Sequence, residues 1–114
     1  FVVEEALKNG VHIETSSWFD MSIIRAMHAK GKVAKDTFII CNGFKPEEYK
    51  REITALINDG FVNCMPILDS PNEVQYYHDN VREKCNVGMR LASDEEPRFQ
   101  FYTSRLGIRY ADAV

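Results

Sequence analysis

Apolar, strand-like runs centred on Ile13, Ile39, Met65 and Met89 recur along this chain at intervals of 26, 26 and 24 residues, with a helix-like stretch in each gap. One strand and one helix per interval is the signature of a parallel sheet, because parallel neighbours need a long crossover between them. The strands read as near-continuous apolar runs, which fits a sheet covered on both faces. A (β/α)8 barrel of about 250 residues averages roughly 30 residues per unit. The 114 residues therefore form one α/β domain of about four βα units. It is either a small open sheet or about half of a TIM-type barrel.

The periodicity predicts a helix over 1–9 closed by Gly10, a strand over 11–15, and a helix from Trp18 to about residue 30, capped by Ser16 or Ser17. Phe19, Ile23, Ile24 and Met27 form its apolar stripe. A second strand over 37–41 runs into the turn Asn42-Gly43 and a helix opened by Pro46, with Ile53, Leu56 and Ile57 inward and Gly60 as its stop. A third strand lies within 61–68, and Asp69-Ser70-Pro71 starts a helix to about residue 83. The fourth strand covers 87–92. Beyond it come a polar loop over 93–97, extended structure over 98–108, and a last helix from about Ala111.

Composition narrows the function. Fourteen Lys and Arg against seventeen Asp and Glu give a net charge of −3, without the basic cluster that nucleic-acid binding needs. No apolar run reaches the roughly 18 residues of a membrane span. Cys41, Cys64 and Cys85 are odd in number and lack metal spacing, which points to a reducing, cytoplasmic setting with inert buried thiols. His28 and His78 read as solvated and His12 as a packing residue. The acidic run Asp94 to Glu96 reads as a solvated loop, so no metal site is expected. There is no glycine-rich phosphate loop. The chain opens on Phe1 without an initiator Met or a leader, as a piece of something longer would.

Chemistry on parallel sheets collects at the C-terminal strand ends. Glu14, Asn42, Asp69 and Arg90 fall there. Glu14 and Arg90 stand at matching heights, where opposite charges could meet across a barrel mouth, for function or as a structural ion pair. Asp69 reads as a helix N-cap, and Asn42-Gly43 as a tight turn ahead of a ligand contact. No residue reads as directly catalytic.

Three runs resemble one family: Phe1-Val2-Val3-Glu4-Glu5, Ile13-Glu14-Thr15-Ser16-Ser17, and above all Ile39-Ile40-Cys41-Asn42-Gly43-Phe44-Lys45. They are similar to the biosynthetic arginine decarboxylases, in the alanine-racemase-like group of pyridoxal-phosphate enzymes. Met89-Arg90-Leu91-Ala92-Ser93-Asp94 looks like the family's strand ending in R-[IL]-A-[ST]-D. Ser104-Arg105-Leu106-Gly107 is similar to its S-[KR]-F-G element, with Leu in place of Phe. The likeness covers essentially the whole chain but only an internal stretch of the family's barrel. It implies a partial (β/α)8 barrel with pyridoxal 5'-phosphate as cofactor and an amino-acid substrate. Glu14 would be the acid close to the cofactor, Arg90 the arginine that reaches the cofactor's edge and pairs with that acid, and Asn42 a polar residue at the mouth. The Schiff-base lysine would lie upstream of this segment. The ring-stacking histidine, the phosphate loop and the acid facing the pyridine nitrogen would lie downstream. The parent would turn L-arginine into agmatine and carbon dioxide, a step of polyamine biosynthesis, while this segment alone would be inactive.

Two alternatives remain. One is a related diaminopimelate or ornithine decarboxylase; the other is a small open receiver-like binding module with Asp69 as acceptor. Half a barrel would also expose sheet edges and an apolar face, so pairing with the rest of the parent chain, or with a second copy in a homo-oligomer, is expected.

Overall fold

The computed structural model describes residues 1–92 and 107–109. Helix α1 (Val2–Leu7) precedes β1 (Ile13–Thr15), α2 (Trp18–Ala29), β2 (Ile39–Cys41), α3 (Glu47–Asn58), β3 (Cys64–Leu68), α4 (Pro71–Asn80), β4 (Gly88–Met89), β5 (Leu91–Ala92) and β6 (Ile108–Arg109). Four strands form a parallel sheet in the order β1-β2-β3-β4, with no reversal. Ile13 pairs with Ile39 and Ile39 with Cys64, and Leu68 pairs with Met89. The fold is thus α/β with sequence-adjacent parallel strands. Right-handed crossovers between such neighbours carry α2, α3 and α4 to one face. Burial agrees: Ile39, Cys41, Cys64, Pro66 and Leu68 are buried, while the alternating Ile40, Met65 and Ile67 are only half-buried.

The fourth strand is broken at Arg90. Its N–H donates to the Leu68 carbonyl at 3.0 Å on the β3 side, and its own carbonyl accepts from Ile108 N–H at 2.8 Å on the β6 side. The chain therefore changes partner there, from β3 to β6, which pairs with β5 in parallel. Pro66 is tolerated inside β3 for a related reason. Ile39 N–H bonds to Asn63 on one side, so alternation turns the Pro66 nitrogen to the other side. Pairing with β4 starts only at Ile67–Gly88, so no ladder bond is lost.

Local chemistry sets the helix ends. Asp20 accepts from the backbone N–H groups of Ser16 and Ser17, both at 2.9 Å, and from the Ser17 hydroxyl at 3.0 Å. That reciprocal cap starts α2. The inward face of α2 is Met21, Ile24 and Met27, whereas Phe19 and Ile23 of the expected stripe are exposed, with Phe19 stacked on Trp18. In α3 the stripe holds, with Ile53, Leu56 and Ile57 buried together with Tyr49. Helix α4 stops at Asn80, short of residue 83, because Asn58 of α3 clips the departing chain. Its amide donates to Asn80 O at 3.2 Å and accepts from Arg82 N–H at 2.8 Å. His12 is exposed, edge-on to Phe38, and so is not the packing residue expected. His28 is half-buried against Phe61, with Nδ1 2.6 Å from Val33 O, and is not the solvated residue expected; His78 is exposed. The readings for 93–106 and from Ala111 onward, including the acidic run, lie outside the described residues.

The core lies between the helices and the sheet. Cys41 and Cys64 are buried there as free thiols, with sulfurs 3.7 Å apart. Contact with Cys41 and burial push the Cys64 thiol up. Burial likewise pushes up the phenols of Tyr49 and Tyr77. Tyr49 donates to or accepts from Thr15 at 2.7 Å, but the Tyr77 hydroxyl is buried with no hydrogen-bond partner among the described residues. Raised acids favour the folded chain while they are neutral. That stability is complete below the ordinary values of 9.0 for a thiol and 10.0 for a phenol, and is lost as pH rises beyond them. Urea unfolding should therefore weaken above pH 10, where the phenols of the unfolded chain ionise and those of Tyr49 and Tyr77 in the folded chain do not. Tyr77→Phe should flatten the loss and leave neutral-pH stability unchanged or raise it by about 1 kcal/mol, since it deletes an unpaired buried hydroxyl.

Candidate functional site

Glu14, Asn42 and Arg90 come from three separate strand ends and join in one hydrogen-bonded chain. Asn42 Nδ2 donates to Glu14 Oε1 at 2.7 Å, and Arg90 Nη2 donates to Asn42 Oδ1 at 3.1 Å. Register explains the meeting. Glu14 pairs with Ile40, two residues before Asn42, so both side chains leave the sheet face opposite the helices. Glu14 and Arg90 do not touch directly as expected; the Asn42 amide stands between them. Its orientation is fixed by its neighbours, because only Nδ2 can donate to the carboxylate and only Oδ1 can accept from the guanidinium. Gly43, at φ 79°, turns the chain away immediately afterwards. The Asn42-Gly43 pair is therefore a tight turn and a contact residue at once.

A second group lies behind the first. The Lys45 side chain is fully buried. Its Nζ donates to Gly43 O at 2.9 Å and to Ile67 O, and lies 3.2 Å from Glu73 Oε2 and 3.4 Å from Asp69 Oδ2. Asp69 is not the N-cap of α4. Ser70 takes that place, with Glu73 N–H 3.4 Å from its hydroxyl oxygen, while Glu73 Oε2 accepts from Asp69 N–H at 3.0 Å. The other Asp69 oxygen, Oδ1, is buried without a hydrogen bond among the described residues and lies 3.6 Å from Arg90 Nε. Arg90 thus links the two groups.

Glu73–Lys45–Asp69–Arg90–Asn42–Glu14 forms a continuous polar line across the ends of β1 to β4. Two carboxylates offset two cations in its inner part, which is what a buried cluster of charges requires. Sequence reasoning singled out Glu14, Asn42 and Arg90 but missed Lys45 and Glu73. The available signals were Ser70-x-x-Glu73, which has the form of a capping box, and a lysine directly after an apolar strand and turn. Gly107, at φ 112°, closes the far side: a Cβ there would stand 3.0 Å from Ala92 N and 3.2 Å from Arg90 Cγ. Any side chain at 107 would displace the strand that carries Arg90.

A cavity of about 100 Å³ beside β1 is lined by Val3, Ile13, Glu14, Ile23 and Ile24 among others, and Glu14 is its only link to the polar line. No group of three or more His, Cys, Asp or Glu side chains suited to a metal occurs among the described residues. No helix among them is long and apolar enough to cross a membrane. Comparison with family models, curated proteins and solved structures finds no match to this chain. Asn42→Ala removes both bonds to charged partners at a half-exposed site, and should cost about 1 kcal/mol in urea unfolding. Phe44→Ala, at a residue 74% exposed, should leave the midpoint unchanged.

Proposed function

We propose that this chain is a segment of the barrel of a pyridoxal-phosphate-dependent arginine decarboxylase, and that Glu14, Asn42 and Arg90 form the polar edge of its cofactor site. The observation that carries the reading is the Glu14–Asn42–Arg90 chain. Three residues picked out by the resemblance, far apart in sequence, share hydrogen bonds on one face. Sequence-adjacent parallel strands with helices to one side also favour a barrel segment over a doubly wound sheet, whose strand order reverses.

The residues fit such a cofactor's polar edge. The line offers a carboxylate, a guanidinium and a fixed amide on the open face, with the orphaned Asp69 Oδ1 behind them. It offers no cradle for a phosphate, which would come from elsewhere in the parent. Pyridoxal phosphate, when bound, supplies an electron sink for the pair left as carbon dioxide departs. The work of this chain is to bind and orient: Arg90 donates charge-assisted hydrogen bonds, Glu14 holds the opposite charge nearby, and Asn42 keeps the two apart at fixed polarity. A diaminopimelate or ornithine decarboxylase would use the same edge, and a substrate panel separates the three. A receiver-like module fits less well, because Asp69 is committed to Lys45 and its side chain is only 8% exposed.

In the full-length protein that contains this chain, carbon dioxide should be released from L-arginine in preference to L-ornithine or diaminopimelate, dependent on added pyridoxal phosphate. Arg90→Ala should lower kcat/KM by roughly ten- to a hundredfold, the worth of one or two charge-assisted hydrogen bonds. The chain by itself, mixed with pyridoxal phosphate and borohydride, should show no stoichiometric adduct on any one lysine; a single labelled lysine would refute the placement of the cofactor-bearing lysine outside it. With Ile40, Met65 and Ile67 partly open on one sheet face, sedimentation velocity should show association that grows with concentration. A monomer at all concentrations would count against a face built to be covered.

A further inference from the structure

The Lys45 ammonium has no contact with Glu14, Asn42 or Arg90, yet it is the most completely enclosed charge among the described residues, its side chain at 0% exposure. A lone buried ammonium is costly, and a site whose only task was to neutralise it would need one carboxylate. Here there are two, and they are used unequally. Glu73 Oε2 is shared between Lys45 and the Asp69 N–H, so it ties the start of α4 to the lysine. Asp69 gives Oδ2 to Lys45 and keeps Oδ1 free of hydrogen bonds among the described residues, 3.6 Å from Arg90 Nε. The two oxygens of one carboxylate therefore face two different cations. Fixing one oxygen fixes the other, because a carboxylate is rigid and planar.

We propose that Lys45 is a positioning residue: it anchors Asp69 Oδ2, and thereby aims Asp69 Oδ1 at Arg90 Nε and sets the direction of the Arg90 guanidinium toward Asn42. The proposal rests on the reading of Arg90 as a site residue only for its functional meaning; the mechanical linkage stands apart from it. Two carbonyls, of Gly43 and Ile67, hold the ammonium from the backbones of the turn after β2 and of β3 itself. The lysine thus refers the aim of Arg90, on the fourth strand, to the backbones of its two predecessors. Substituting Lys45 releases Asp69 to swing, and Arg90 then loses its 3.6 Å ion pair and keeps its hydrogen bond to Asn42.

The test is nitrogen-detected NMR of the side-chain cations in the labelled chain. The Arg90 Nε resonance should stand apart from that of the exposed Arg51, because a carboxylate oxygen lies 3.6 Å from it. Lys45→Met should move it to the Arg51 position while backbone amide signals away from the strand ends stay in place. Should that variant fail to fold, Asp69→Asn serves instead, since Lys45 keeps Glu73 and both carbonyls. In Asp69→Asn both the Arg90 Nε resonance and the Lys45 ammonium signal should move. Either an Arg90 Nε resonance unmoved in a folded Lys45→Met or Asp69→Asn chain, or a Lys45 signal unmoved by Asp69→Asn, overturns the proposal. Pyridoxal phosphate is absent from these measurements. A failure to decarboxylate arginine would therefore strike the functional reading alone, and an unmoved Arg90 resonance would strike this linkage alone.

Discussion

One buried ammonium organises the C-terminal end of this sheet. Lys45 collects two backbone carbonyls and two carboxylates from the turn after β2, the end of β3 and the start of α4. Without it, Asp69 and Glu73 would be two like charges, nine-tenths buried and about one helical turn apart, which is unfavourable in a low-dielectric setting. With it they become anchors: Glu73 closes the first turn of α4, and Asp69 faces Arg90. The cap of a helix, the end of a strand and the setting of a surface guanidinium thus depend on the same cation.

The two faces of the sheet divide the labour. On the helix side, Ile39, Cys41, Cys64 and Leu68 meet Tyr49, Ile53, Leu56 and Ile57 of α3, and the polar exception, Thr15, is satisfied by the Tyr49 hydroxyl. That face supplies the apolar burial which holds the domain together. The opposite face carries Glu14 and Asn42, with the buried Lys45 and Glu73 set behind them, and is only partly covered. Stability and chemistry are therefore separable by position, with residues of one parity along each strand packing and those of the other parity presented.

Much of this was legible in the sequence because it rests on period and spacing. The spacing of Ile13, Ile39 and Met65 foretold parallel neighbours, and Pro46, Gly60 and the pair Ser16-Ser17 marked helix ends by local stereochemistry alone. What escaped was set by partners distant in sequence. The face of α2 that turned inward was decided by packing against α3, so Met21 is buried and Phe19 is not. Asp69 looked like a cap because Ser70-Pro71 follows it, and only Lys45, 24 residues earlier, explains why the cap fell to Ser70. Glu14 and Arg90 were paired in principle by charge and height. The amide between them belonged to a turn whose backbone role hid its side-chain role.

Arg90 has one further property that follows from the backbone. Its N–H is tied to β3 and its carbonyl to β6, so the strand changes partner through a single residue. Any displacement of β6 against β3 would therefore act on both backbone bonds of Arg90, whose side chain also donates to Asn42. The junction between two strand pairings and the link between two polar groups are thus one residue, so neither can be altered without the other.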